Sequence, residues 1–305
     1  KLRYGKSNAE LVFDGAPEGV KFALGENVKR SNGGSNNSRF PASRMGVETL
    51  LERAFTRARE YQREWADYEA ARKRGEDPAP PRKDVRLDAL AGILSGSVDV
   101  HSHCYRADEI LMLLRAAERF GVRVKTLQHV LEGYKVAHEI AAAGAGASTF
   151  SDWWGYKVEA YDAIPQCAAL MHQAGVLASI NSDSDEIVRR LYVEAAKSVR
   201  YAGLDRVAAL RLVTLNPALQ LGIGERVGSI EVGKDADLVL LDGDPLSGFS
   251  RVRWTMVDGA IEFARRDAFG LEEAPLDVRE IELEEVAAAI APDREITAFV
   301  GATLH

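Results

Sequence analysis

Three histidines carry the chemistry that can be read first. His101 and His103 stand two residues apart in V-D-V-H-S-H-C-Y, residues 98–105, whose alternating start predicts a short buried strand. Residues two apart on a strand share a face, so both imidazoles can point at one site. Residues 122–129, V-R-V-K-T-L-Q-H, predict a second strand that also ends in a histidine, His129. A single histidine at a strand end is by default structural. Two strands in succession that end in histidines reverse that default and point to a metal site.

The elements that must position these residues follow from periodicity. A helix is predicted over 107–120, with Ile110, Leu111, Leu114 and Ala117 as its apolar stripe. Upstream, 19–24 predicts a short strand bearing Lys21, followed by a turn at Gly25-Glu26-Asn27 and a polar loop over 30–39. From Ser43, a credible N-cap, a long amphipathic helix carries Val47, Leu50, Leu51, Phe55, Tyr61, Trp65 and Tyr68 at three- and four-residue intervals. Its aromatic stripe reads as a packing face, not a cofactor box. A second helix, 85–94, leads into the histidine strand. Beyond His129 the alternation continues: helix 135–143, strand 147–150, helix 163–174, strand 176–180, and helix 185–201 after the polar run Asn181-Ser182-Asp183-Ser184. Repeated strand-helix units with polar residues after the strands predict a parallel α/β barrel, with its site at the carboxyl ends of the strands. A doubly wound sheet gives a similar local pattern, but no Gly-rich phosphate loop follows a strand here.

Composition bounds the function classes. The chain has 305 residues, 46% hydrophobic and 28% charged, enough to bury a sizeable core. A formal net charge of −7 argues against a nucleic-acid surface or an anionic membrane. Cys104 and Cys167 are too few for a disulfide framework, and no apolar run has the length of a transmembrane span. The first residue is Lys1, so the location in the cell is not read from this sequence.

The last clear segment is 214–263. Thr214-Leu215-Asn216-Pro217-Ala218 is read as the end of a helix, 228–241 as a turn and strand, and 252–256 and 260–263 as two further strands about the turn signal Asp258-Gly259. T-x-N-P-A, then G-S-I-E-V-G-K-D-A-D-L-V-L, then V-D-G together resemble the carboxyl-terminal signature of the amidohydrolase superfamily, especially its imidazolonepropionase-like and prolidase-like branch. The resemblance runs from about Gly15 to Phe263.

That resemblance implies an α/β fold holding the later strands of a TIM-like (β/α)8 barrel, beside a small β-sandwich to which the carboxyl-terminal region contributes. Residues 1–222 would be the barrel portion, 223–265 the sandwich segment and 266–305 an accessory tail. It also implies a divalent metal site, with zinc as the first expectation and one or two ions. His103 matches the strand-five ligand, His129 the strand-six ligand and Asp183 the strand-eight aspartate. Lys21 matches the strand-four lysine that is carbamylated in binuclear members, with Glu26 as a rival ligand. Such a metal acidifies a water and polarises a carbonyl, and Asp183 would take the water's proton and pass it to the leaving amine. The H-x-H pair of strand one is absent, and His101-Ser102-His103 does not replace it, because it follows the strand-four segment. The expectation is that a preceding segment or a partner chain supplies that pair and completes the barrel, in an oligomeric assembly.

The expected activity is hydrolysis of an amide bond in a peptide-like or cyclic amide substrate. A scaffold without turnover and a metal-dependent deaminase are the alternatives. His101, Tyr105, Trp153 and Trp154 are candidates to contact substrate or orient ligands. Cys104 should pack on the opposite face, His138 and His172 should be structural, and Asp185 and Glu186 should cap the following helix. An acidic helix over 277–290 and a strand over 296–300 are expected in the tail.

Overall fold

The structure is a computed structural model and describes residues 5–34 and 37–266. The expected helix and strand of the tail, at 277–290 and 296–300, lie outside the described residues.

Five short strands form a parallel sheet. β1 (Gly19–Ala23) pairs with β2 (Asp99–His103) in a register that sets Lys21 beside His101 and Ala23 beside His103. β2 then pairs with β3 (Val124–Gln128), β3 with β4 (Gly146–Thr149), and β4 with β5 (Ala178–Ile180). The spatial order is the chain order throughout. A doubly wound sheet reverses direction at a switch point; this sheet winds one way only, as part of a TIM-like wall does. A separate antiparallel sheet follows, of β6 (Leu238–Leu241), β7 (Val252–Val257) and β8 (Ala260–Ala264), with β7 in the centre. Asp258 and Gly259 join its last two strands at φ +51° and +78°, the left-handed pair that a tight hairpin needs.

Alternation decides which side chains reach the site. Val100, Leu127, Ala147 and Ala178 are fully buried on one face of the parallel sheet, against Ile110, Leu113, Ile140, Met171 and Ala195 from the covering helices. Each large apolar side chain removed from water there contributes roughly 1.5–3 kcal/mol. The alternate positions, including Lys21, His101, His103, Ser148 and Ser179, belong to the other face, which is polar. Cys104 packs in the core, as expected.

The helices end where their caps dictate. Ser43 Oγ accepts the Gly46 amide at 3.1 Å and starts the helix Arg44–Lys73, which buries Val47, Phe55, Ala58 and Tyr61. Asp84 caps Val85–Ser95, and Gly121 in a left-handed conformation closes Ala107–Phe120. Other boundaries differ from expectation. Gly25-Glu26-Asn27 is not a free turn, because Glu26 opens the helix Glu26–Asn32. The helix expected over 135–143 is a 3₁₀ turn, Gly133–Val136, followed by Ala137–Ala142. The one expected from Asp185 starts as a 3₁₀ turn, Ile187–Arg190, because Ser184 Oγ already holds the Glu186 and Ile187 amides at 3.3 Å each. Thr214-Leu215-Asn216-Pro217 opens a helix, Leu215–Gln220, because proline is tolerated in a first turn where no amide partner is lost. No described helix is long and apolar enough to cross a membrane.

Candidate active site

The carboxyl ends of β2, β3 and β5 converge. His103 is the last residue of β2, and His129 follows β3 at φ +64°, which turns its ring out of the strand direction. The two ring centroids are 4.8 Å apart at 61°. Tyr105 lies 4.8 Å from His103 and 6.1 Å from His129, and Phe150 stacks on His129 at 4.9 Å with Trp153 behind it at 5.0 Å. Asp183 stands beyond β5 at φ +47°. Left-handed conformations at non-glycine residues cost on the order of 1–3 kcal/mol each and cluster at functional sites. Two of the three such residues among those described are His129 and Asp183.

The surroundings favour the neutral form of both imidazoles. Burial lowers the pKa of His103, helped by the charge of Lys21, while Glu159 and Asp183 oppose it. Burial also pushes His129 down to about 4, with the neighbouring His103 adding to the effect. Neutral imidazole is the form that ligates a metal. The pH dependence of stability follows with a definite sign. An unfolded chain protonates His129 near 6.5 and the folded chain only near 4, so the unfolded state binds more protons between these values. Stability of the metal-free protein is therefore fully present above about 6.5 and falls as pH is lowered from 6.5 towards 4. Denaturant midpoints measured between pH 7 and pH 4 should show this fall, and His129→Asn should flatten it.

The remaining candidates are placed unequally. Lys21 is exposed on the adjoining strand, and its charge acts on both imidazoles. Glu26 pairs with Arg30 one helical turn on. His101 is half-buried and lines a cavity of about 450 Å³ together with His129, Asn181, Asp183, Ser148 and Gln220, whereas His103 is not in its wall. Burial lowers the pKa of His101 as well. Trp153 packs against Phe150, but Trp154 is exposed and gives its indole N–H to the Ser151 carbonyl at 3.3 Å. His138 and His172 lie exposed on helices.

Among the described residues no three His, Cys, Asp or Glu side chains gather as a complete metal-ligand set. The histidine pair nevertheless fits two positions of one: His103 Nε2 is buried and has no hydrogen-bond partner, and the second imidazole adjoins it. Burying an imidazole nitrogen unpaired is unfavourable unless something else takes its lone pair or proton.

Several residues around the pair were not foreseen. Asn181 donates its side-chain N–H to Ser148 Oγ and lies 3.3 Å from His129 Nδ1. Arg44 bonds both Glu109 and Glu159, which are almost fully buried, and Lys157 reaches Glu159 at 3.0 Å while lying 4.2 Å from the centre of the Tyr105 ring. Tyr105, itself an expected contact residue, shares a 2.7 Å hydroxyl hydrogen bond with Tyr156.

The comparisons place this one-way parallel α/β sheet with paired histidines at its carboxyl edge. The pattern of the amidohydrolase family matches residues 95–268, more than half of the chain, and the chain belongs to that family. It is 29% identical over 314 aligned residues to the amidohydrolase tasK of Hapsidospora irregularis, covering 94% of this chain and 32% of that protein. An imidazolonepropionase of Thermoplasma volcanium is 35% identical over 80 residues, 24% of this chain and 20% of that protein. The crystal structure of an amidohydrolase from Thermotoga maritima superposes with a TM-score of 0.72 at 32% identity, covering 83% of this chain and 64% of that one. The chain thus spans less than two thirds of the length of these relatives.

Proposed function

We propose that this chain carries the later part of the catalytic site of a metal-dependent hydrolase that cleaves carbon–nitrogen bonds of an amide, peptide-like or cyclic. The observation that carries the reading is the His103–His129 pair at 4.8 Å, at the ends of adjacent parallel strands, with His103 Nε2 buried and unpartnered. Family membership supports the same reaction class. His103 and His129 would hold a divalent cation, zinc first, with Asp183 and a carbamylated Lys21 as further ligands on the same rim. When bound, the metal acidifies a water and polarises the amide carbonyl. Asp183 accepts the water's proton and returns it to the amine nitrogen as the carbon–nitrogen bond breaks. Phe150 and Trp153 cover one side of His129, Tyr105 covers His103, and together they keep bulk water from the two rings.

These four residues would not fill the coordination spheres of two cations. The further donors, an H-x-H pair, would come from polypeptide outside this chain, another segment of the same protein or a partner chain, which would also complete the barrel wall. On this reading residues 1–222 form the barrel portion and 223–265 the small β domain. Elemental analysis of the protein purified from its source, with the intact mass of every chain present, tests it. One or two equivalents of a transition metal are expected, with amide hydrolysis lost on chelation and restored by zinc. Metal-free protein whose amide hydrolysis ignores chelators would sink the proposal.

A further inference from the structure

Asn181 has no part in the hydrolysis outlined above, yet its side chain meets His129 directly. Its backbone amide donates to the Thr149 carbonyl at 3.0 Å, which fixes it just beyond β5. Its side-chain nitrogen donates to Ser148 Oγ and faces His129 Nδ1 at 3.3 Å, while its Oδ1 is buried without a partner. An imidazole nitrogen that faces an N–H donor must present its lone pair, so the neutral ring then carries its proton on Nε2. A nitrogen with a proton cannot ligate. A half-turn of the amide exchanges its ends: Oδ1 would accept from Nδ1–H of His129 and from the Ser148 hydroxyl, and Nε2 would be bare. Each setting makes two hydrogen bonds and leaves one end of the amide unpartnered, so neither is strongly preferred by count.

We infer that Asn181 is a positioning residue that sets which nitrogen of His129 carries the proton, nitrogen towards the ring in the metal-free protein and oxygen towards the ring when His129 Nε2 binds a ligand. Ser148 anchors the amide in both settings, as acceptor in the first and donor in the second. The metal-bound half of this inference rests on the proposed function; the metal-free half does not.

The test is nitrogen NMR of ¹⁵N-histidine-labelled full-length protein, metal-free and with Zn²⁺, alongside Zn²⁺ affinity by competition with a chromophoric chelator. Metal-free wild type should show the His129 proton on Nε2, moving to Nδ1 on adding Zn²⁺. N181D presents only acceptors and should show Nδ1–H before any metal is added. N181L should lose the fixed tautomer and bind Zn²⁺ about 10–100-fold more weakly, the usual cost of losing a partner that orients a ligand. S148A leaves the ring contact intact and serves if N181L fails to fold; it should weaken Zn²⁺ binding in the same direction by less. A wild-type proton on Nδ1 in the metal-free protein, or N181L and S148A binding Zn²⁺ as tightly as wild type, would overturn the inference. Wild type that binds no metal would instead defeat the hydrolase reading, and the metal-free tautomer would still decide the role of Asn181.

Discussion

Asp183→Asn is expected to lower kcat/KM for amide hydrolysis by about 10²–10⁴-fold, the usual contribution of a positioned proton-transfer group, with the fold retained. Asn tolerates the left-handed backbone that Asp183 occupies at φ +47°, so the substitution removes charge and basicity without forcing the chain to move. The lost charge matters because the carboxylate acts on both His103 and His129 and sits in the wall of the cavity that His129 lines. The measurement is steady-state kinetics on an amide substrate with substrate-binding affinity recorded in parallel. Hydrolysis lost with binding preserved fits a group that acts in the transition state. Unchanged behaviour in every assay would favour the scaffold alternative, in which polar residues persist after the strands without turnover.

The histidine strand was legible because a period of two and a histidine at each of two strand ends are local signals. His103 and His129 were predicted from those signals, and the sheet brings them side by side because parallel strands without a switch point keep sequential neighbours adjacent. The long helix was legible for a similar reason, since Ser43 and the Val47 to Tyr61 stripe are readable over a few turns. The ring partners were not. Asn181 and His129 are 52 residues apart, and nothing in N-S-D shows which way an amide will face. Arg44 lies 65 residues from Glu109 and 115 from Glu159, and each reads locally as an ordinary charge near a helix start. The left-handed backbone at His129 also escapes periodicity, because side-chain alternation carries no information on the sign of φ. Family resemblance supplied roles for residues on strands; it supplied no account of the ionic rim that holds those strands' loops together.

That rim yields the largest stability effect expected here. Arg44→Met should destabilise the protein by about 3 kcal/mol, at the lower end of the 3–5 kcal/mol that follows breaking a buried ion pair on one side. The lower end applies because the Arg44 side chain is 27% exposed, while those of its partners Glu109 and Glu159 are 1% and 2% exposed. The two carboxylates converge on Gly25, where an added Cβ would lie 3.0 Å from Glu159 Oε2 and 3.2 Å from both oxygens of Glu109. Like charges this close and this dry need a cation between them. Burial already raises the Glu109 pKa, Arg44 opposes that, and Glu159 adds to it. Without Arg44, the ion pair left to the two carboxylates among the described residues would be that of Lys157 with Glu159. The damage should reach the site, because Glu109 accepts the Tyr105 amide at 3.4 Å and Glu159 accepts the Glu26 amide at 3.1 Å. Tyr105 in turn packs on His103 at 4.8 Å. Adding Glu109→Gln to Arg44→Met should restore part of the lost stability, since it removes one of the stranded charges while keeping the shape. Denaturant midpoints of the two variants decide the matter: a change within about 0.5 kcal/mol for Arg44→Met would mark the rim as the near-neutral surface pairing that most exposed ion pairs are, and a double variant less stable than the single one would show that the carboxylate is not left uncompensated. A loss near 3 kcal/mol, partly recovered in the double variant, would mean that the loops carrying Gly25, Tyr105 and Lys157 are held at the mouth of the site by one guanidinium.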